Sequence, residues 1–225
     1  MRWWSSYLMN FNEFKSATFD FDSSFPIEMQ GFGSSDNFEV KLIPAGPWLL
    51  SKRDWVASMV DGREMNMEFF FSRFRTSIPS MVNYLSEGPI FDSGRILFLL
   101  VTKDYQLLGH VGLKLEPNNS LEIDNVMRLE SGFPGIMEKA ITSLLRWVDN
   151  LYSNVPLTLE VISTNSLAIA LYEKVGFSVV KKVALRTRTG SDGYVSLVDC
   201  EAMYSDCQET KVIMQRTVKQ GFQSK

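Results

Sequence analysis

Asn165 to Phe177 reads NSLAIALYEKVGF. Leu167, Ala168, Leu171 and Tyr172 recur at helical spacing, Asn165 begins the helix and Gly176 ends it as a cap residue. Pro156 precedes Leu157–Ile162 (LTLEVI), which has the pattern of a strand, and Phe177 to Leu185 supplies another. The stretch is therefore a short helix set between two strands.

Working outward, Gly132 and Pro134 open a long helix in which Ile136, Met137, Ala140, Ile141, Leu144, Leu145, Val148 and Leu151 bury one face. Three strands run into it through short turns: Arg95–Lys103 (RILFLLVTK), Leu107–Leu115 (LLGHVGLKL) and Leu121–Met127 (LEIDNVM). Phe38–Ile43 is an earlier strand. From Trp48 to Leu85 the pattern is helical but broken: Trp55, Val56, Met59 and Val60 share a face, Gly62 interrupts, and Met81, Val82 and Leu85 belong to a second helix. Tyr194–Val198 and Val212–Thr217 are further strands. In residues 1–37, Phe19, Phe21 and Phe25 alternate with polar residues as a short strand would, and Gly31–Asp36 reads as a loop. This order predicts an α+β chain with α/β-like layering: a mixed, twisted sheet of about seven strands flanked by helices. It is expected to form one domain over residues 38–225, with 1–37 as an N-terminal elaboration.

The chain has 225 residues, 45% hydrophobic and 22% charged, with a formal net charge of -3. Those proportions describe a globular chain, and its charge offers no field to attract a nucleic-acid backbone or an anionic membrane. Neither a signal peptide nor a spanning segment is read, so a cytoplasmic protein is expected, without nucleic-acid or membrane partners. The two cysteines, Cys200 and Cys207, lack metal spacing and are too few for a disulfide framework, which suits a reducing compartment; a bond between them is the weaker reading.

Chemistry concentrates at the junction from Met127 to Met137. Gly132 and Gly135 let the backbone approach a ligand closely, and the unpaired amides of the first helical turn favour a pyrophosphate. Asn165, Ala168, Leu171, Tyr172, Lys174, Gly176 and Phe177 then match a motif, Asn-x-x-Ala-x-x-Leu-Tyr-x-Lys-x-Gly-Phe, and here the chain resembles the GNAT superfamily of acyl-CoA N-acyltransferases. The order of elements extends that resemblance from about Phe38 to Val218. One departure stands out: the family's phosphate loop runs Arg or Gln, two residues, Gly, one residue, Gly or Ala. Here three residues separate Arg128 from Gly132, and the second glycine is Gly135. The Pro-Gly-Ile-Met form of the loop loosely resembles GNAT enzymes that acylate nucleotide-linked amino sugars for surface polysaccharide.

The resemblance implies acyl-CoA as co-substrate and no metal. The acyl group would be acetyl or a short hydroxyacyl such as hydroxybutyryl. The CoA site would comprise Val126, Met127, Arg128, Gly132, Phe133, Gly135, Ile136, Met137, Asn165 and Ala168. The strand ending at Met127 would part from Leu157–Ile162 to admit the pantetheine arm, and Tyr172 would face the sulfur as general acid. An attacking amine must lose a proton. His110 is the sole histidine, and Glu122 and Asp124 share a strand face by period-two geometry, so these three are the base candidates. Trp48, Trp55, Phe70, Arg73, Phe74 and Arg75 would shape the acceptor side, rings stacking and guanidiniums meeting a diphosphate. The acceptor expected is a nucleotide-linked amino sugar such as a dTDP-amino-dideoxyhexose; a protein N-terminus, an antibiotic amine or a non-catalytic binding module are the alternatives. A homodimer is also possible.

Overall fold

The computed structural model describes residues 27–29, 40–152, 155–191, 193–200 and 207–216. Its ten strands are β1 Ile27–Glu28, β2 Val40–Pro44, β3 Ser72–Arg73, β4 Arg95–Thr102, β5 Leu107–Leu115, β6 Leu121–Arg128, β7 Leu157–Ile162, β8 Phe177–Thr189, β9 Val195–Asp199 and β10 Glu209–Arg216. The described α-helices are α1 Arg53–Met65, α2 Ile78–Leu85, α3 Ile136–Leu151 and α4 Ser166–Lys174. The sheet runs β1-β2-β4-β5-β6-β7-β10-β8-β9-β3. All pairs are antiparallel except β6 with β7, which the α3 crossover makes parallel.

Each face of the sheet buries its own core. Ile96, Phe98 and Leu100 of β4, Val111 and Leu113 of β5 and Ile123 of β6 point toward Ile136, Ala140, Ile141 and Leu144 of α3. The alternate positions Leu97, Leu99 and Val101 meet Val56 and Met59 of α1 and Met81 and Leu85 of α2. β4 is covered on both faces, which is why it reads as an uninterrupted apolar run.

Several expectations change. Gly62 does not interrupt the first helix; α1 passes through it, because a Cβ there would overlap Leu129 and come 2.8 Å from the sulfur of Met127. The glycine lets α1 lie close to β6. The long helix starts at Ile136 rather than at Gly132. The sheet has ten strands rather than about seven: β1 and β3 are two-residue pairings too short to leave a pattern. β8 continues beyond Leu185 to Thr189, with exposed, polar residues held by β9 through main-chain bonds instead of apolar burial. Cys200 and Cys207 are joined by a disulfide. Cys200 follows β9 and Cys207 precedes β10, so the strands bring the two ends of that connection together, Cα atoms 6.2 Å apart.

The strand at Phe19–Phe25 and the loop at Gly31–Asp36 lie outside the described residues. Within 1–37, Ile27–Glu28 add an edge strand to β2. No helix among the described residues is long and apolar enough to cross a membrane.

Candidate functional site

The site begins with a defect in the pairing of β5 with β6. Gly109 opposes Arg128 and His110 opposes Met127, but Gly112 opposes Asp124, so β6 carries one extra residue. That bulge contains Asn125 at φ +47, a conformation Asn tolerates better than most residues. Asn125 is fixed from two sides: the His110 Nδ1–H donates to its carbonyl at 2.6 Å, and the Tyr84 hydroxyl donates to its Oδ1 at 2.8 Å. Glycine at 109 and 112 lets the strands close around it, since a Cβ at Gly109 would lie 2.5 Å from the carbonyl oxygen of Met127.

Where the bulge begins, β6 leaves β7. Pairing between them stops after Leu121–Leu157, Glu122–Thr158 and Ile123–Leu159, while β7 continues along β10 from Thr158 to Ile162. The sheet therefore opens in the middle, β6 staying with β5 and β7 with β10. A cavity of about 980 Å³ occupies the opening and extends to both sides of it.

At one end stands the start of α3. Gly135 caps it at φ +75 with no side-chain acceptor. The early amides of the helix therefore have no side-chain partner among the described residues, and Ile136 N–H makes a 3.3 Å bond to the carbonyl of Phe133. Asn165 caps α4 by accepting from Ala168 N–H at 3.1 Å through Oδ1, leaving its amide nitrogen for the cavity. Tyr172 lines the opening; its ring meets Phe177 edge-on at 6.4 Å, and its hydroxyl has no hydrogen-bond partner among the described residues. Burial pushes that hydroxyl's pKa up, so it stays protonated through the working range.

The three base candidates differ in environment. Burial lowers His110 to about 4, leaving a neutral ring committed to the bulge. Asp124 is raised by burial but is ion-paired to Arg95, its carboxylate lying across Gly112. Burial, then the neighbouring Glu116 carboxyl, raises Glu122 to about 7 against the pull of Lys114 at 3.4 Å. All three line the cavity.

Of the expected CoA-site residues, Val126, Met127, Arg128, Gly135, Ile136, Met137, Asn165 and Ala168 line it. Gly132 and Phe133 do not: Gly132 is exposed with open space around it, and Phe133 packs on the α3 core. On the acceptor side Phe70 and Phe74 line the cavity, while Trp48, Trp55, Arg73 and Arg75 do not. Trp48 and Trp55 pack edge-to-face at 6.0 Å against the second core. Arg73 forms a bidentate pair with Glu209 at 2.7 and 2.6 Å. The sequence reading did not single out Asn125, Tyr84 or Tyr194, which also line the cavity. The two glycines within LLGHVGLKL were a signal for the bulge, because glycine inside a strand marks close backbone approach.

No family model and no curated protein matches the chain. Solved structures do. A ribosomal L7/L12 alpha-N-protein acetyltransferase superposes with a TM-score of 0.62 at 12% identity, over 87% of this chain and 95% of that one. The microcin C7 self immunity acetyltransferase, in complex with acetyl-CoA and AMP, gives 0.58 at 14%, over 80% and 92%. A probable GNAT-family acetyltransferase from Chromobacterium violaceum gives 0.58 at 15%, over 78% and 81%. The chain has the GNAT fold. At these identities the likeness concerns the fold, and within that GNAT frame the bulge, the parted strands and the bare start of α3 are this chain's own geometry.

Proposed function

We propose that the chain is an acyl-CoA-dependent N-acyltransferase acting on the amine of a small molecule. The observation that carries this reading is the gap between β6 and β7, with unpaired helical amides at one end and the free Tyr172 hydroxyl inside. A pantetheine arm carries amides that suit an unpaired strand edge, and a pyrophosphate suits the start of α3.

In this scheme the amine nitrogen attacks the thioester carbon. The C–N bond forms, the C–S bond breaks, and Tyr172 donates to the departing sulfur. Glu122 takes the ammonium proton, directly or through one water, because it titrates near neutrality, whereas the His110 ring is held neutral with a pKa of about 4 and Asp124 is ion-paired to Arg95; those two hold the bulge and its surroundings in place. Transfer is direct, with no acyl-enzyme: both cysteines are tied in the disulfide and stand outside the cavity. The acyl group is acetyl or a short hydroxyacyl. For the acceptor, the aromatic wall of Phe70, Phe74 and Tyr194 supports a ring-bearing molecule such as a nucleotide-linked amino sugar.

Calorimetry with acetyl-CoA, followed by transfer to a panel of amines, tests the reading. Tyr172→Phe should bind acetyl-CoA as the wild type does and lose about 100-fold in kcat. Absence of acetyl-CoA binding at high micromolar concentration, or an unchanged kcat in the variant, would defeat it.

A further inference from the structure

The cavity is lined by three cations, and their surroundings differ. Arg95 is neutralised by Asp124. Arg128 is exposed at the end of β6, beside the α3 loop. Arg63 is half-buried in the last turn of α1 and forms no ion pair with any described residue. Other cations of the fold contrast with it: Arg73 pairs with Glu209, Lys114 with Glu116, Lys174 with Glu138, Lys211 with Glu160 and Arg216 with Asp149. The adjacent Glu64 is engaged elsewhere, accepting from Thr76 N–H at 2.5 Å.

The guanidinium of Arg63 is nonetheless held in one pose. Its carbon lies 4.3 Å from the Phe70 ring centre and 4.8 Å from that of Phe74, and Phe74 is itself stacked on Tyr194 at 4.9 Å. A single nitrogen, Nη2, donates to the carbonyl and hydroxyl oxygens of Ser72 at 2.9 and 3.1 Å. Nη1 and Nε keep their donors. Burial lowers the Arg63 pKa against the smaller opposing pulls of Tyr84, Tyr194 and Glu64, so lost hydration outweighs what its charged neighbours return. Two rings and a serine fix the fork but do not neutralise it.

We propose that Arg63 is the specificity anchor for an anionic oxygen group, carboxylate or phosphate, on the acceptor, whose remaining body lies against the Phe70, Phe74 and Tyr194 rings. This rests on the acyltransferase reading for what happens to the amine, but not for the binding of the anion. The anion supplies the missing counter-charge and accepts two parallel bonds from the free edge of the fork. The amine end then extends past Tyr84 and the bulge toward Tyr172.

Two matched pairs of probes separate the anion sources: glucosamine 6-phosphate against glucosamine, and tyrosine against tyramine, each at saturating acetyl-CoA. In the wild type the anionic member of at least one pair should have the higher kcat/KM by about 10- to 100-fold, mainly through KM; which pair responds identifies phosphate or carboxylate. Arg63→Met, which keeps the packing between the rings, should bring that ratio to about one, and Arg63→Lys should restore it in part. A ratio near one in both wild-type pairs, or a ratio that survives in R63M, overturns the anchor. So does a parallel loss on both members of a pair, the result of a purely structural role. Calorimetry of the four probes on CoA-saturated protein distinguishes the two readings. Anion binding that depends on Arg63 without transfer upholds the anchor and overturns the acyltransferase, whereas transfer with no Arg63-dependent preference does the reverse. Neither binding nor transfer overturns both.

Discussion

Glu122 and Asp124 stand two residues apart on one strand face and burial raises both, yet the fold gives them different partners. Asp124 reaches over the bare backbone of Gly112 to Arg95, and that partner keeps it in an ion pair. Glu122 faces another carboxyl, Glu116, and shares a single nearby lysine with it. A base must be ionised to accept a proton. With Glu122 at about 7, its ionised fraction falls tenfold for each pH unit below that value, so kcat/KM should rise with pH and level off above about 7. Glu122→Gln should remove that limb and lower the plateau by about 100-fold; the same ascending limb in the variant would move the role to another group. The sequence placed both carboxylates on one face correctly. It could not rank them, because their partners lie on β4 and β5 and reach them only through strand pairing.

At the scale of elements, the bulge in β6 is the feature on which the opening depends. It costs an unfavourable φ at Asn125, which the bonds from His110 and Tyr84 offset. Gly112→Ala tests it: the new Cβ would overlap the Asp124 carboxylate and lie 3.0 Å from its carbonyl oxygen. We expect a loss of about 1–3 kcal/mol in urea unfolding together with weaker acetyl-CoA binding. Unchanged stability and binding would mean that the register is not set there. The alternation in LEIDNVM reads as one continuous strand, and the elements themselves were legible because apolar periodicity is local. The interruption was not, since an extra residue is defined only against the opposing strand. The same limit applies to Arg73, whose partner Glu209 is 136 residues away.

At the scale of the molecule, the sheet consists of two halves joined by three residue pairs of β6 and β7, and the disulfide lies in the half that carries β8, β9 and β10. Replacing both cysteines by serine should cost about 2 kcal/mol of stability, the low end expected for so short a loop, and leave kcat and acetyl-CoA binding unchanged. Urea unfolding with and without reductant, alongside the transfer assay, checks both parts; a fall in kcat would show that the halves communicate. The sequence by itself determined the longer helices and strands and where α4 starts and stops, because caps and apolar spacing act over a few neighbouring residues. Only the tertiary structure decided that β6 and β7 separate after Ile123, that Cys200 meets Cys207, and that Arg63 forms no ion pair among the described residues, because each depends on distances between segments remote in the chain.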